Sequence, residues 1–451
     1  MKLLGLSKEE IKKIIKNGDI RISVFGLGSI GLPLAAVFAK FGAKVIGVDL
    51  DKKKVEMINK GINYIDEELE LDSLIRENII NGRLIATDNI EKAVKESDII
   101  IIAVPVIANN DGKIDLDNLI ELSITIGKNL KKGHIVITET TLPPGTTENL
   151  IPIFEKESGL KLGDFGVAHA PERIMRGSAI KDITERYPKI IGASDPLTLE
   201  VVTALYETIN TKGVIKVSSI KAAEAVKVFE GIYRDVNIAL ANELALWAEE
   251  AGLDVMEIIN AANTQPYCHL HKPGAGVGGH CIPVYPWFII NTSKQRKPEL
   301  ITYARKINDF MPYHIIELVK MGLSKAGKLI SDSNILILGL AFRGGVKIFF
   351  NSPAIPVIKE LKSLGANVFV HDPLYNKEEI ETFGVKWKDN FKDIDCIVII
   401  TDHEEYKKLD LEKVSNEVKT KVIIDGRNIL NPICAKDKGF IYLGVGRTYL
   451  I

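Results

Sequence analysis

The chain has 451 residues, 46% of them hydrophobic, and its 58 basic and 59 acidic side chains leave a formal net charge of −1. That balance excludes a global basic field for nucleic acid or an anionic membrane, so any anionic ligand must be met by local arginines and helix N-termini. The length corresponds to about three domains, and four cysteines (Cys268, Cys281, Cys396, Cys434) without metal-ligand spacing predict a reduced, cytoplasmic chain with no metal site.

Met1–Asp19 is a charged amphipathic segment, expected as a helix and lacking the long apolar core of a signal peptide; no run of about 18 apolar residues suggests a membrane span. From Ile20 to about Ala193 short β-rich runs (Arg21–Phe25, Lys44–Asp49, Ile99–Val104, Ile135–Glu139, Phe165–Ala168) mostly alternate with longer helical ones. Such alternation predicts a parallel sheet with helices on both faces. Ile220–Gly252 is one long helical pattern without proline, too long for a crossover. Pro298–Leu329 is a second helical connector, and Ile335–Leu340, Asn367–Val370, Cys396–Thr401 and Lys421–Asp425 read as strands of a second α/β unit. The predicted fold class is therefore α/β, with two Rossmann-like parallel-sheet domains joined by a long central helix. The predicted divisions are 1–215, 216–329 and 330–451.

Gly26-x-Gly28-x-x-Gly31, enclosing Ser29 and Ile30, follows the first strand and opens a helix, and Asp49 ends the next strand. The glycines let backbone approach a pyrophosphate at the helix N-terminus, and Asp49 accepts from a ribose, which favours NAD over NADP. Lys52, Lys53 and Lys54 soften that preference. Glu139–Thr147 follows another strand and carries hydroxyls at the ligand-binding edge of the sheet, although a proline-stiffened turn before a capped helix fits the same residues. Lys227 and Arg234 share one stripe of the long helix, with Gly231 between them, while Val226, Phe229, Tyr233, Val236 and Leu240 form an apolar stripe. Whether the charged stripe is solvated or catalytic is left open by spacing. In a site, Arg234 would lower the Lys227 pKa and favour a neutral amine base.

Gly276-Val277-Gly278-Gly279-His280-Cys281 ends a glycine-rich loop in a single cysteine, more exposed than a core cysteine. Hydride transfer from an alcohol needs no thiol; a thiol is useful when an aldehyde is captured as a thiohemiacetal, oxidised again and released by water. Paired with the dinucleotide fingerprint, the loop points to double oxidation of a primary alcohol. Cys268, Cys396 and Cys434 read as structural.

With these residues in hand, the chain resembles the UDP-glucose/GDP-mannose dehydrogenase family along nearly its whole length. The match takes in Gly26–Gly31, Glu139–Thr147, Pro171-Glu172-Arg173, Ala223–Lys227, Arg234–Ala239 and Gly276–Cys281. It continues through Gly339–Phe342, Asp425–Asn428 and Gly444-x-Gly446-Arg447. The Arg234–Ala239 run and the Pro-Glu-Arg triplet look most like the branch acting on UDP-N-acetylmannosamine, with the UDP-N-acetylglucosamine branch the near alternative. The resemblance implies Cys281 as nucleophile, Lys227 as base or oxyanion stabiliser, and Glu172 and Thr141 as groups handling water in thioester hydrolysis. It implies two NAD per cycle, held by Gly26, Gly28, Ser29, Ile30, Gly31, Asp49 and Thr147. A UDP-sugar would be lined by Arg173, Ile174, Arg234, Gly278, Phe342, Arg343 and Arg427, the last reaching a neighbouring subunit. A homodimer or homotetramer is expected, with no nucleic acid or membrane partner.

The chain departs from the family pattern at Gly231, usually asparagine, at Tyr285, usually aspartate, and at Val106, usually threonine. Lys347–Asn351 replaces a charged run. These changes keep a non-catalytic sugar-nucleotide-binding protein as an alternative; a two-electron 3-hydroxy-acid dehydrogenase would have no use for the cysteine loop or a second α/β domain.

Overall fold

The computed structural model describes residues 3–448 apart from 66, 69 and 109–112, so the expected domain ends at Met1 and Ile451 fall outside the described residues. By internal packing the chain divides between Glu230 and Gly231, with Trp287–Thr292 returning to the first unit.

The first unit is built on a sheet of eight strands: β1 (Arg21–Phe25), β2 (Lys44–Val48), β3 (Leu84–Thr87), β4 (Ile99–Ile102), β5 (Ile135–Thr138), β6 (Gly166–His169), β7 (Lys189–Ala193) and β8 (Val214–Lys216). Their spatial order is β3-β2-β1-β4-β5-β6-β7-β8. The strands from β3 to β6 are parallel, whereas β7 meets β6 antiparallel, with Ala168 opposite Ala193, and β8 follows β7 in parallel. The six parallel strands follow the doubly wound order, and the crevice at their carboxyl ends between β1 and β4 is where such sheets bind ligands. All four isoleucines of β4 are buried, as expected of a strand covered on both faces. Helix α1 (Lys8–Asn17) starts at a Ser7–Glu10 capping box, stops at Gly18 with φ 76°, and buries Ile11 and Ile15. Helix α2 (Gly31–Lys40) follows β1, and α3 (Thr146–Ser158) follows β5.

In the second unit β9 (Asn334–Leu338), β10 (Asn367–His371), β11 (Lys386–Trp387), β12 (Cys396–Ile399), β13 (Val422–Asp425) and β14 (Ile441–Gly444) form an entirely parallel sheet in the order β11-β10-β9-β12-β13-β14. This repeats the doubly wound order of the first sheet. Helix α4 (Ile220–Ala251) runs unbroken through the division between the units, and α5 (Glu299–Lys325) packs on the second sheet. Of the apolar stripe read on α4, Phe229, Tyr233 and Leu240 are exposed in the single chain, while Val226 and Val236 are half-buried. Among the described residues, no helix is long and apolar enough to cross a membrane.

Candidate active site

In the first unit the three fingerprint glycines answer to different steric demands. Gly26 has φ +90°, and a Cβ there would lie 2.8 Å from the Ala103 carbonyl oxygen. At Gly31 a Cβ would lie 1.9 Å from the Gly26 carbonyl oxygen, so α2 can start this close to β1 only with glycine. Gly28 is exposed and a Cβ on it would meet nothing within 4 Å, which leaves its backbone open to a ligand. Ile30 caps α2 without a side-chain hydrogen bond, and no acidic residue lies in the first turn. The helix N-terminus therefore keeps its positive dipole end uncompensated by a carboxylate, as a pyrophosphate requires. The Asp49 carboxylate accepts from the Leu27 amide at 2.9 Å and the Asp51 amide at 3.0 Å, which sets it beside the glycine turn. Lys54 lies 3.8 Å from it. These residues fit a dinucleotide with an unphosphorylated ribose: Gly26, Gly28 and Gly31 open the path, and Asp49 is held ready to accept.

Lys227 and Glu172 come together in this unit, Nζ 3.4 Å from Oε1, with side chains only 12% and 7% exposed. The other Glu172 oxygen accepts from the Ile174 amide at 2.9 Å, so the carboxylate is oriented by its own loop. The Glu172 amide donates to the Glu139 carbonyl at 3.1 Å, which ties that loop to the end of β5. Behind it lies a network that sequence reading missed. Lys189 Nζ sits 2.6 Å from Glu139 Oε2 and 4.7 Å from the centre of the Tyr206 ring, and the Tyr206 hydroxyl donates to the other Glu139 oxygen. Burial pushes the Glu139 carboxyl up and the Lys189 ammonium down, because the interior penalises both charges. The nearby fully buried His169 is pushed down to about 3 by burial, and its Nδ1 pairs with the Thr138 hydroxyl at 2.7 Å. The signal for Glu139 was in the Glu139–Thr147 motif; for Lys189 there was none.

Thr147, expected as a cofactor contact, is fully buried, with its hydroxyl 2.7 Å from that of Thr138. Its amide donates at 2.8 Å to Glu224, which also accepts from the Gly145 amide and so caps α3 from α4. The Thr147 hydroxyl and amide are thus both engaged within the unit. Burial outweighs these hydrogen bonds and pushes the Glu224 carboxyl up to about 7. Thr141 is buried. The Arg173 guanidinium is occupied within the unit, 2.7 Å from Glu230, donating to the Pro188 carbonyl and stacked over Tyr187.

In the second unit the cysteine loop is fastened at several points. The Gly274 amide donates to Asn242 at 2.9 Å, and the Ala275 amide donates to the Gly426 carbonyl at 2.8 Å. The Gly279 amide donates to the Phe350 carbonyl at 2.9 Å, while Asn351 Nδ2 donates to the Gly279 carbonyl at 3.3 Å. A Cβ on Gly278 would lie 2.6 Å from Phe342 Cβ and 2.7 Å from the Asn351 carbonyl oxygen, so the loop can lie this close only with glycine. His280 stacks on Phe350, with centroids 4.1 Å apart and planes 10° apart. Cys281 emerges exposed at the end of this clamp. Thus Lys347–Asn351, the segment that departs from the family's charged run, supplies loop contacts that sequence reading did not foresee.

Phe342 and Arg427 also meet here. Arg427 donates from Nε to the Ile400 carbonyl at 2.6 Å and from a terminal nitrogen to the Phe342 carbonyl at 3.3 Å. Asp372 mirrors Asp49: it follows β10 and accepts from the Leu340 and Ala341 amides at 2.7 and 2.9 Å. Arg343 is half-buried in the same turn region, and Arg234 is exposed on α4. Of the remaining cysteines, Cys396 is buried in β12, but Cys434 is exposed rather than structural. Among the described residues no His, Cys, Asp and Glu cluster is arranged to hold a metal.

Three models of one family match in chain order: its NAD-binding domain over residues 20–210, its central domain over 221–310 and its UDP-binding domain over 336–432. A UDP-N-acetyl-D-mannosamine dehydrogenase from Methanocaldococcus jannaschii is 39% identical over 97% of this chain and 99% of its own. The solved structure of a UDP-D-ManNAc dehydrogenase from Pyrococcus horikoshii superposes with a TM-score of 0.87 at 37% identity, covering 95% of this chain and 100% of that one. That of an NDP-N-acetyl-D-galactosaminuronic acid dehydrogenase from Methanosarcina mazei gives 0.85 at 34% identity over 99% of each chain. With the dinucleotide fingerprint, the Lys227–Glu172 pair and the clamped Cys281 loop all in place, the chain belongs to the UDP-glucose/GDP-mannose dehydrogenase family and is an NAD-dependent enzyme.

Proposed function

We propose that the enzyme oxidises UDP-N-acetyl-D-mannosamine at C6 to UDP-N-acetyl-D-mannosaminuronate, a four-electron reaction through a Cys281 thioester. The observation that carries the chemistry is the buried Lys227–Glu172 pair, whose amine nitrogen and carboxyl oxygen are held 3.4 Å apart. The choice of sugar is supported by the names of the relatives from Methanocaldococcus jannaschii and Pyrococcus horikoshii. Gly26, Gly28, Ser29, Ile30, Gly31 and Asp49 would hold NAD, which would supply the hydride acceptor for both oxidations.

Lys227 takes the proton of the C6 alcohol as the aldehyde forms, or holds the developing oxyanion, a service worth several kcal/mol in a dry site. The Cys281 thiolate adds to the aldehyde carbon and Lys227 returns its proton to the oxygen, giving a thiohemiacetal whose O–H proton passes back to Lys227 as its C–H bond, the second to be broken, gives up a hydride. The resulting thioester is cleaved by water: Glu172 takes a proton from that water as its oxygen bonds to the carbonyl carbon, the C–S bond breaks, and Glu172 returns the proton to the departing sulfur, leaving the acid and the thiol. Thr141 orders the water. Arg173, Ile174, Arg234, Gly278, Phe342, Arg343 and Arg427 are proposed to line the UDP-sugar. The divisions 1–215, 216–329 and 330–451 are proposed as NAD-binding, central and nucleotide-binding regions of a cytoplasmic enzyme. The exposed apolar stripe of α4 supports pairing of subunits as a homodimer or homotetramer.

The test is a stoichiometry: limiting UDP-N-acetyl-D-mannosamine with excess NAD, counting NADH at completion and identifying the product by mass. Two NADH per sugar, with the uronate formed, is the expected result. One NADH, or none, overturns the thioester route. Faster turnover of UDP-N-acetylglucosamine or UDP-N-acetylgalactosamine overturns the choice of sugar.

A further inference from the structure

Gly231 and Tyr285, the two departures from the family pattern nearest the reacting residues in sequence, touch one another. A Cβ built on Gly231 would lie 2.3 Å from Tyr285 Cδ2 and 3.2 Å from both Cγ and Cε2. No carbon pair tolerates 2.3 Å, so the tyrosine ring occupies the space that any other residue at 231 would need. The ring is not at liberty to swing away, since Tyr285 is only 5% exposed. Its amide donates to the Cys281 carbonyl at 3.0 Å, closing one turn between the cysteine and the tyrosine.

We propose that Gly231 and Tyr285 interlock, and that Tyr285 is a positioning residue that seats the turn bearing Cys281 against the backbone of α4. The two departures are then a single coupled exchange. A bulky aromatic ring fills what the missing side chain on α4 vacates, and that contact helps seat the turn. This assignment rests on Cys281 being the nucleophile; the steric interlock itself does not. Tyr285 touches the helix and carries the cysteine, so it acts through Cys281 rather than on substrate.

The experiment is a double-mutant cycle on the full chain: Gly231→Ala, Tyr285→Ala and the pair together, with Tyr285→Phe as the conservative variant. Two readouts are taken. One is the pH profile of Cys281 alkylation by iodoacetamide, mapped by peptide mass with the exposed Cys434 as internal reference. The other is kcat and KM for NADH formation. Gly231→Ala is expected to shift Cys281 alkylation about tenfold against Cys434 and to lower kcat about a hundredfold with KM little changed, the cost of a displacement near 1 Å. In the Tyr285→Ala background the same methyl is expected to have no further effect, and Tyr285→Phe, which keeps the ring, is expected to keep the full effect of the methyl. Should Gly231→Ala fail to fold, folding of the double variant supports the interlock, and its failure overturns it. Equal effects of Gly231→Ala in both backgrounds overturn the interlock. Loss of thermal stability with unchanged Cys281 reactivity and kcat overturns the positioning role. A parent that makes no NADH defeats the functional reading, while the alkylation cycle still decides whether the two residues interlock.

Discussion

The buried pair behind Glu172 allows a quantitative test. Lys189 and Glu139 are 2.6 Å apart with side chains 14% and 1% exposed, and Glu139 also receives the Tyr206 hydroxyl. Lys189→Met keeps much of the volume but removes the only cation in contact with Glu139 among the described ion pairs. An uncompensated buried charge of this kind costs about 3–5 kcal/mol, whereas removing both charges is close to neutral. Lys189→Met is therefore expected to lose about 3–5 kcal/mol at pH 8, and Glu139→Gln/Lys189→Met about 1 kcal/mol or less.

The pH dependence has a definite sign. Burial already raises the Glu139 carboxyl, and losing Lys189 raises it further, so the single variant binds a proton in the folded state that the unfolded chain releases. Its deficit is small in acid and grows as pH rises through that raised pKa. The assay is guanidinium unfolding followed by circular dichroism at pH 5 and pH 8, with the transition of the first unit identified by its displacement on adding NAD. A Lys189→Met deficit under about 1 kcal/mol at pH 8, or a double variant as unstable as the single, would refute the reasoning.

Two further outcomes are expected. Gly28→Ala should fold with an unchanged melting temperature yet bind NAD at least about tenfold more weakly by calorimetry, while Gly31→Ala, facing a 1.9 Å contact, should lower the melting temperature as well; equal behaviour of the two would contradict the division of roles. Glu224, whose carboxyl is raised to about 7, contributes stability that is complete below the ordinary carboxylate range and lost as pH rises through 7. Relative to Glu224→Gln, the parent should lose about 3 kcal/mol of unfolding free energy between pH 4 and pH 9, and parallel curves would show that Glu224 stays ionised throughout.

What could be read from the chain, and what could not, follows from how far apart the cooperating residues are. The fingerprint was legible because its three glycines, its strand and Asp49 lie within one βαβ unit, where each residue type answers to a local demand. Arg21–Phe25 and Ile220–Ala251 were legible for the same reason: an apolar run and a proline-free periodic one announce themselves. Leu84–Thr87 and Lys189–Ala193 were not, the first because it offers only three apolar residues before Thr87, the second because only Ile190 and Ile191 stand between a lysine and a glycine. The Glu139–Lys189 contact joins residues 50 positions apart, and a lysine opening a short strand looks like any solvated lysine until the chain folds over it. Gly231 and Tyr285 are the sharpest case. Read separately, each is the loss of a polar group and argues for a weakened site; only the 2.3 Å clash that a methyl at 231 would create reveals that one loss makes room for the other residue. A departure from a family pattern therefore weighs against function only after its spatial neighbour has been identified, because in a close-packed interior a vacated volume and a bulkier neighbour are one event.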